Sequence, residues 1–171
     1  MAMDSTNTFL YISDRHLLAR LDLGSSSGIG TNWVNNSPKD DDNYRVVKFS
    51  GSVISGNIDS NTNKTRYSEP RDIIIDQANK YLYVNDLFNS KIRRVDLTTP
   101  FNAALSVSAS NPIAYYTTTY ASFSPNVAGG MVFDTTFGFI YIVTNTQCGI
   151  WKIPVTSTAP SSATSRPPHA P

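Results

Sequence analysis

The sequence predicts an all-β fold in which similar antiparallel sheets repeat along the chain. Three observations support this prediction. The 171 residues are rich in Tyr, Phe, Thr, Val and Ile, which favour strands. No span combines a helical spacing of apolar residues with helix caps. The segment 72–97 also recurs at 130–155 without a gap, and such self-similarity is the signature of a repeat architecture.

The recurring segments agree in both size and polarity. At an offset of 58 residues the matched pairs are Asp76 with Asp134, Tyr81 with Phe139, Tyr83 with Tyr141, Ile92 with Ile150 and Arg94 with Lys152. A third copy, residues 9–23, places Phe9 and Tyr11 at the positions of Tyr81 and Tyr83. After a shorter turn, it places Arg20 at the position of Arg94. A run that matches this closely indicates repeated structural units rather than chance similarity.

Each copy divides into strands in the same order. First comes a short apolar strand that ends in Asp (73–76 and 131–134), and the opening "MAMD" resembles the end of such a strand. An aromatic-rich strand follows. The third strand alternates aliphatic residues, predicted to face inward, with charged residues, predicted to face outward. Segments 44–51 and 113–123 supply a fourth strand after the first and second copies.

Four antiparallel strands per repeat are typical of a β-propeller blade. The sequence therefore predicts an incomplete propeller over residues 1–155, with blades at about 1–51, 68–123 and 127–155. Residues 156–171 are rich in Pro, Ser and Ala and are predicted to be disordered. An incomplete ring is expected to be a piece of a longer propeller or, as the alternative, to self-associate with a second copy and complete the ring.

Residues 46–97 resemble an NHL repeat. The matching residues are Gly51, Gly56, Asp59, Tyr67, Pro70, Asp76, Tyr83, Val84, Asp86, Asn89, Lys91 and Ile92. The chain departs from the family pattern at Asp72, where a Gly is usual. A second resemblance is to extracellular propellers with a Tyr-Trp-Thr-Asp repeat, but "SEPRDIIID" and the Asn turn favour NHL. Both resemblances imply a six-bladed ring.

Composition excludes several partners. The formal net charge is +1, with the basic residues scattered, so no nucleic-acid partner and no anionic membrane surface are predicted. No apolar run approaches the ~20 residues of a membrane helix. The N-terminal residues lack the basic start of a signal peptide, and the localisation stays unknown. Cys148 is the only cysteine, which excludes a disulfide within the chain.

The sequence assigns no catalytic residue, metal ligand or cofactor. His16 and His169 lack neighbours at metal-ligand spacing, and Cys148 is expected to be a small buried thiol. Asp86 and Asn89 are expected to stabilise a turn. The acidic run 39–44 is expected to be a solvated loop, and the aromatic strand within 113–123 to pack. Trp33 and Trp151 are the candidates for an exposed binding face, with Trp151 predicted to point outward.

The resemblance implies a non-catalytic binding or scaffolding module that uses the propeller face to bind a protein or a small ligand. Two alternatives remain open. One is a fragment of a metal-dependent propeller enzyme of the lactonase or lyase kind, although the acidic and basic residues that would serve it are few. The other is a carbohydrate-binding propeller, which would need exposed Trp and Tyr side chains. Fold-level resemblance does not by itself decide among them.

Overall fold

The computed structural model describes residues 1–23, 46–60, 64–100, 115–123, 129–136, 138–144 and 149–156. Within these ranges there are eleven strands in three antiparallel sheets. The described residues contain no α-helix and one 3₁₀ turn, at Leu87–Asn89. The all-β prediction is therefore confirmed. None of the described segments forms a helix long and apolar enough to span a bilayer.

The strands of each sheet follow one another in chain order. The first sheet consists of β1 Ala2–Met3, β2 Phe9–Asp14, β3 Leu17–Asp22 and β4 Val46–Gly51. The middle sheet consists of β5 Pro70–Ile75, β6 Tyr81–Asp86, β7 Lys91–Pro100 and β8 Tyr115–Ser122. The last sheet consists of β9 Met131–Asp134, β10 Phe139–Thr144 and β11 Gly149–Pro154. The predicted strand order is thus confirmed in all three sheets.

Equivalent residues pair between the second and third strands of all three sheets. Tyr11 pairs with Arg20, Tyr83 with Arg94 and Tyr141 with Lys152. In each sheet the cation lies over the aromatic ring at the start of the neighbouring strand. The distances from the cation to the ring centroid are 4.3 Å for Arg20 and Phe9, 4.6 Å for Arg94 and Tyr81, and 3.8 Å for Lys152 and Phe139. The alignment of the copies read from the sequence is therefore confirmed in space.

An aspartate opens the first turn of every sheet. Asp4 Oδ1 accepts the N–H groups of Thr8 and Phe9 at 2.7 and 2.8 Å, and Asp76 Oδ1 accepts those of Lys80 and Tyr81 at 2.7 and 3.0 Å. Asp134 Oδ1 accepts the nearer Thr136 N–H, at 3.0 Å. These contacts confirm that the aspartates stabilise turns.

Each of these turns also contains one residue in the left-handed backbone conformation. Asn7 and Asn79 have φ of 55° and 54°, and Gly138 has φ of 69°. Each donates its N–H to the carbonyl of the opening aspartate, at 3.1, 3.0 and 3.0 Å respectively. Asn and Gly are the residues that adopt this conformation at least cost.

Two apolar clusters join the three sheets, and β5 contacts β2 on one side and β9 on the other. The cluster between the first and middle sheets contains Tyr11, Leu18, Phe49, Tyr67, Ile73, Leu82, Val84, Val95 and Tyr115. The cluster between the middle and last sheets contains Tyr83, Ile92, Tyr120, Ala121, Phe123, Met131, Ile140, Ile142 and Ile153. Tyr11 and Tyr83 each pack between neighbouring sheets.

The outward direction predicted for Trp151 is wrong. Trp151 is half-buried and packs edge-on against Phe123, with 5.5 Å between ring centroids. Its cross-strand partner is Ile142, which is buried against the middle sheet. Because paired residues of neighbouring strands share a face, Trp151 must face the middle sheet as well.

Candidate functional site

Four loops meet at one end of the first and middle sheets, and we name this end the loop face. Its components are the β2–β3 turn at 15–16, the connector 52–60, residues 68–69 before β5, and the 3₁₀ turn Leu87–Asn89. Backbone hydrogen bonds join them. The Ser52 N–H donates to the His16 carbonyl at 3.2 Å, and the Phe88 N–H donates to the Ser68 carbonyl at 3.1 Å. The loops therefore form one surface rather than separate protrusions.

Gly51 lets the connector leave β4 directly against the β2–β3 turn. Its φ is +85°, and a Cβ at this position would lie 2.5 Å from the His16 carbonyl oxygen and 2.7 Å from Leu17 Cα. Both atoms belong to the backbone, so they cannot move aside cheaply. Next to this contact, the Glu69 N–H donates to His16 Nδ1 at 3.3 Å. His16 thus helps to join two loops.

A buried arginine holds the connector onto the middle sheet. The Arg93 side chain is 1% exposed. Its Nε donates to Asp86 Oδ2 at 2.9 Å, and its Nη2 donates to Asn57 Oδ1 at 2.6 Å. Its Nη1 donates to Thr119 Oγ1 at 3.0 Å and also forms an ion pair with Asp59. One guanidinium therefore contacts β6, β8 and two connector residues.

Asp86 is the buried anionic partner in this network. Its side chain is fully buried. In addition to the bond from Arg93, it accepts the Ser68 N–H at 2.7 Å and the Asn89 Nδ2 group at 2.8 Å. Three donors around one carboxylate offset the cost of burying its charge. The bond between Asp86 and Asn89 confirms their predicted role in the turn, but the sequence did not predict the ion pair.

The connector is fixed at further points along its length. The Gly56 N–H donates to the Tyr67 carbonyl at 3.0 Å, and Asn89 Nδ2 donates to the Gly56 carbonyl at 2.8 Å. The fully buried Tyr67 hydroxyl lies 2.8 Å from Ser50 Oγ and 3.4 Å from Thr117 Oγ1. Burial raises the pKa of Tyr67 to about 12, although these two hydrogen bonds oppose the rise. The Tyr67 hydroxyl therefore keeps its proton at physiological pH.

Four large apolar side chains on the loop face are exposed, and Ile58, at 41%, is the least exposed of them. Val53 is 81% exposed, and Ile54 and Phe88 are each 56% exposed. Charged residues of both signs occur within or next to the loops of this face in the chain: Asp14, Arg15, Glu69 and Arg71. Apolar side chains displayed on fixed loops within a charged rim are typical of a protein-binding surface.

Polar contacts also connect the middle and last sheets near this end. Asp72 Oδ2 accepts the Met131 N–H at 2.5 Å, and Asn85 Nδ2 donates to the Gly129 carbonyl at 2.9 Å. Asp72 is the position at which the chain departs from the NHL pattern. A carboxylate here has a structural use, because it satisfies the backbone of the strand that begins the next sheet.

Several residues that the sequence analysis discussed are not tested by the structure. These residues, which lie outside the described part of the chain, are Cys148, His169, Trp33 and the acidic run 39–44. Arg93, predicted to face outward, is buried, so that prediction is wrong. The connector supplies both Asp59 and Asn57 to it, from 34 and 36 residues away. Among the described residues, no group of three or more His, Cys, Asp or Glu side chains could hold a metal ion.

Comparison with models of known protein families gave no match, and comparison with curated proteins gave none either. The function must therefore be argued from the surface itself.

Proposed function

We propose that the three sheets are blades of an NHL-type six-bladed propeller. The resemblance of residues 46–97 to an NHL repeat supports this proposal. The shared strand register supports it as well, because each sheet repeats the same pairing of a Tyr with a cation. The two apolar junctions use equivalent residues in the same roles, as successive blades of a propeller do.

We further propose that the chain is a non-catalytic binding module that recognises a protein partner through the loop face. The observation that carries this proposal is the exposure of Val53, Ile54 and Phe88 on loops that the buried Arg93 network holds in place. Fixed loops lose little conformational entropy on binding, so their apolar side chains contribute more of their burial energy to affinity.

The rim of the loop face indicates what kind of partner would fit. Asp14, Arg15 and Arg71 are exposed at its border and Glu69 is half-buried. A partner segment with two or three apolar side chains, flanked by charged residues of its own, would bury the apolar centre and solvate the rim. This is the usual composition of a transient protein interface.

The two alternatives have less support. A metal-dependent enzyme of the lactonase or lyase kind would need converging ligands, and the described residues offer no such cluster. A carbohydrate site at Trp151 would need an exposed indole, but this ring packs against Phe123.

Site-specific photo-crosslinking tests the proposed binding surface. A photoreactive residue is placed at Val53, at Phe88 or at Tyr116, which is also exposed but lies on β8. We expect one partner to be captured at positions 53 and 88 and not at 116, and we expect V53S/F88S to weaken its binding at least about 10-fold. Equal capture at all three positions, or unchanged affinity of the double variant, would contradict the proposal.

A further inference from the structure

The two internal junctions are built from the same pair of faces. One face, which we name the leading face, carries the repeat Tyr and the first aliphatic residue of the third strand: Tyr11 and Leu18 in the first sheet, Tyr83 and Ile92 in the middle sheet. The opposite face, which we name the receiving face, carries aliphatic residues of the inner three strands. Its members are Ile73, Leu82, Val84 and Val95 in the middle sheet and Met131, Ile140, Ile142 and Ile153 in the last sheet.

Each junction therefore places one leading face on one receiving face. Edge-on aromatic pairs accompany the leading face in both cases. Tyr11 and Phe49 have ring centroids 5.5 Å apart, and Tyr83 and Tyr120 have centroids 5.2 Å apart. The side chains that form the two junctions are almost all fully buried. The contact between these faces is consequently a reproducible mode of association, because the chain forms it twice with different side chains.

One leading face has no sheet against it among the described residues. It belongs to the last sheet and carries Tyr141 and Ile150, the equivalents of Tyr83 and Ile92. Ile150 is 53% exposed, and Val132, the cross-strand partner of Tyr141, is 60% exposed. The residue equivalent to Val132 is Ile74, which packs against the cluster between the middle and last sheets. The last sheet thus displays a surface of the kind that is buried at both internal junctions.

One receiving face also has no sheet against it in the described part of the chain. It belongs to the first sheet and carries Leu10, Ile12 and Leu21, the equivalents of Leu82, Val84 and Val95. These three side chains are half-buried and belong to neither apolar cluster, whereas their equivalents in the middle sheet are fully buried. Met3 on the same sheet is 45% exposed. The two ends of the stack are therefore complementary to each other.

We infer that the leading face of one copy binds the receiving face of a second copy, head to tail, and continues the stack across the two chains. A second copy is the occupant that the structure favours, because this chain carries both halves of a junction that it already forms internally. Such a contact is heterologous, so it closes into a ring when the rotation permits and extends further when it does not. This inference does not depend on the loop face.

Two charge substitutions test the inference separately at each end. I150K places a cation on the leading face, and I12K places one on the receiving face. Both residues are at least partly exposed in the single chain, so each variant is expected to keep the far-ultraviolet circular dichroism of the wild type. Sedimentation velocity over a range of concentrations then gives the state of association. Y116K serves as the control, because Tyr116 is exposed but lies on neither end face.

We expect the wild type and Y116K to associate as concentration rises. We expect I150K alone and I12K alone to stay monomeric, with dissociation constants raised at least about 30-fold. The decisive sample is an equimolar mixture of I150K and I12K. The first variant keeps its receiving face and the second keeps its leading face, so the mixture should form a one-to-one dimer through a single junction.

Three results would overturn the inference. A monomeric wild type would show that the end faces do not associate. Continued association of I12K alone or I150K alone would show contact between two like faces or at another surface. A mixture that stays monomeric, with both variants folded, would show that head-to-tail pairing is not the mode of contact. Since none of these samples alters Val53 or Phe88, the outcome is independent of the test of the loop face.

Discussion

Replacement of Arg93 by Met should destabilise the protein strongly. The substitution removes the only cation bonded to Asp86 among the described residues and leaves that fully buried carboxylate with the N–H of Ser68 and the amide of Asn89. Breaking a buried ion pair by removing one partner costs about 3–5 kcal/mol. The second ion pair adds less than about 1 kcal/mol, because Asp59 is 40% exposed and solvent screens it.

This loss is a large part of the roughly 5–15 kcal/mol that a domain has in total. It corresponds to a fall in melting temperature of roughly 6–20 °C for a chain of this size. Urea unfolding followed by tryptophan fluorescence measures the free energy of unfolding of R93M, D86N and the double variant. Because the pair is in direct contact, we expect a coupling energy of about 1–3 kcal/mol in the double-mutant cycle.

The neighbouring residue provides a control. Arg94 lies over the rings of Tyr81 and Tyr120, at 4.6 and 5.3 Å from their centroids, so R94M should cost only about 0.5–1 kcal/mol. Hydrogen exchange gives a local readout, since R93M should speed exchange of the Gly56 and Ile58 amides in the connector. A stability of R93M within 1 kcal/mol of R94M, or a coupling energy near zero, would refute the reasoning.

Three further predictions concern buried hydroxyls, glycines and pH. Y83F should leave stability unchanged or raise it by up to about 1 kcal/mol, because the buried Tyr83 Oη has no hydrogen-bond partner among the described residues. Y67F should lose about 1 kcal/mol, and the reverse order in urea unfolding would contradict this. G51A should cost about 2 kcal/mol more than G138A. Both glycines have a positive φ, but of the two only a Cβ at position 51 would clash with backbone atoms. Equal melting temperatures of the two variants would refute this clash. Burial opposes the ionisation of Asp4, but hydrogen bonds from Phe9, Thr6 and Thr8 outweigh it and hold its pKa below the usual value of an aspartate. D4N should therefore be less stable than the wild type above about pH 4, with the difference closing as pH falls further, and a difference that widens in acid would show the wrong sign.

The strands and their register could be read from the sequence because a period of two leaves few alternatives. A slip of one residue would turn Tyr83, Leu82 and Val84 to the wrong faces. The aspartate turns were readable for a similar reason, since a short loop between two strands limits its residues to Asx and Gly types.

The direction of Arg93 and of Trp151 could not be read in the same way. Alternation predicts which residues share a face, but it does not predict whether the other face is solvated. In the middle sheet both faces are covered, so the polar-looking position of Arg93 is buried and needs partners. Those partners come from the connector, which contains no alternating pattern. Asp59 and Asp86 were both noted as family-like positions, but no sequence rule joins either of them to Arg93.

The exposed apolar residues of the loop face were also missed. Val53 and Ile54 stand between Ser52 and Ser55 in an irregular segment, where neither period-two nor helical spacing applies. Only the three-dimensional arrangement shows that the same loops carry Phe88. An aliphatic pair flanked by serines in a connector, rather than a tryptophan in a strand, would have been the better signal for this surface.

The connector has a mechanical consequence. It leaves β4 of the first sheet, and the backbone of its Ser60 exchanges two hydrogen bonds with Thr117 of β8, at 3.2 and 2.8 Å. The chain then continues to β5, so the connector is bonded to both the first and the middle sheet. Under a pulling force, the first two sheets should therefore yield together, in one step.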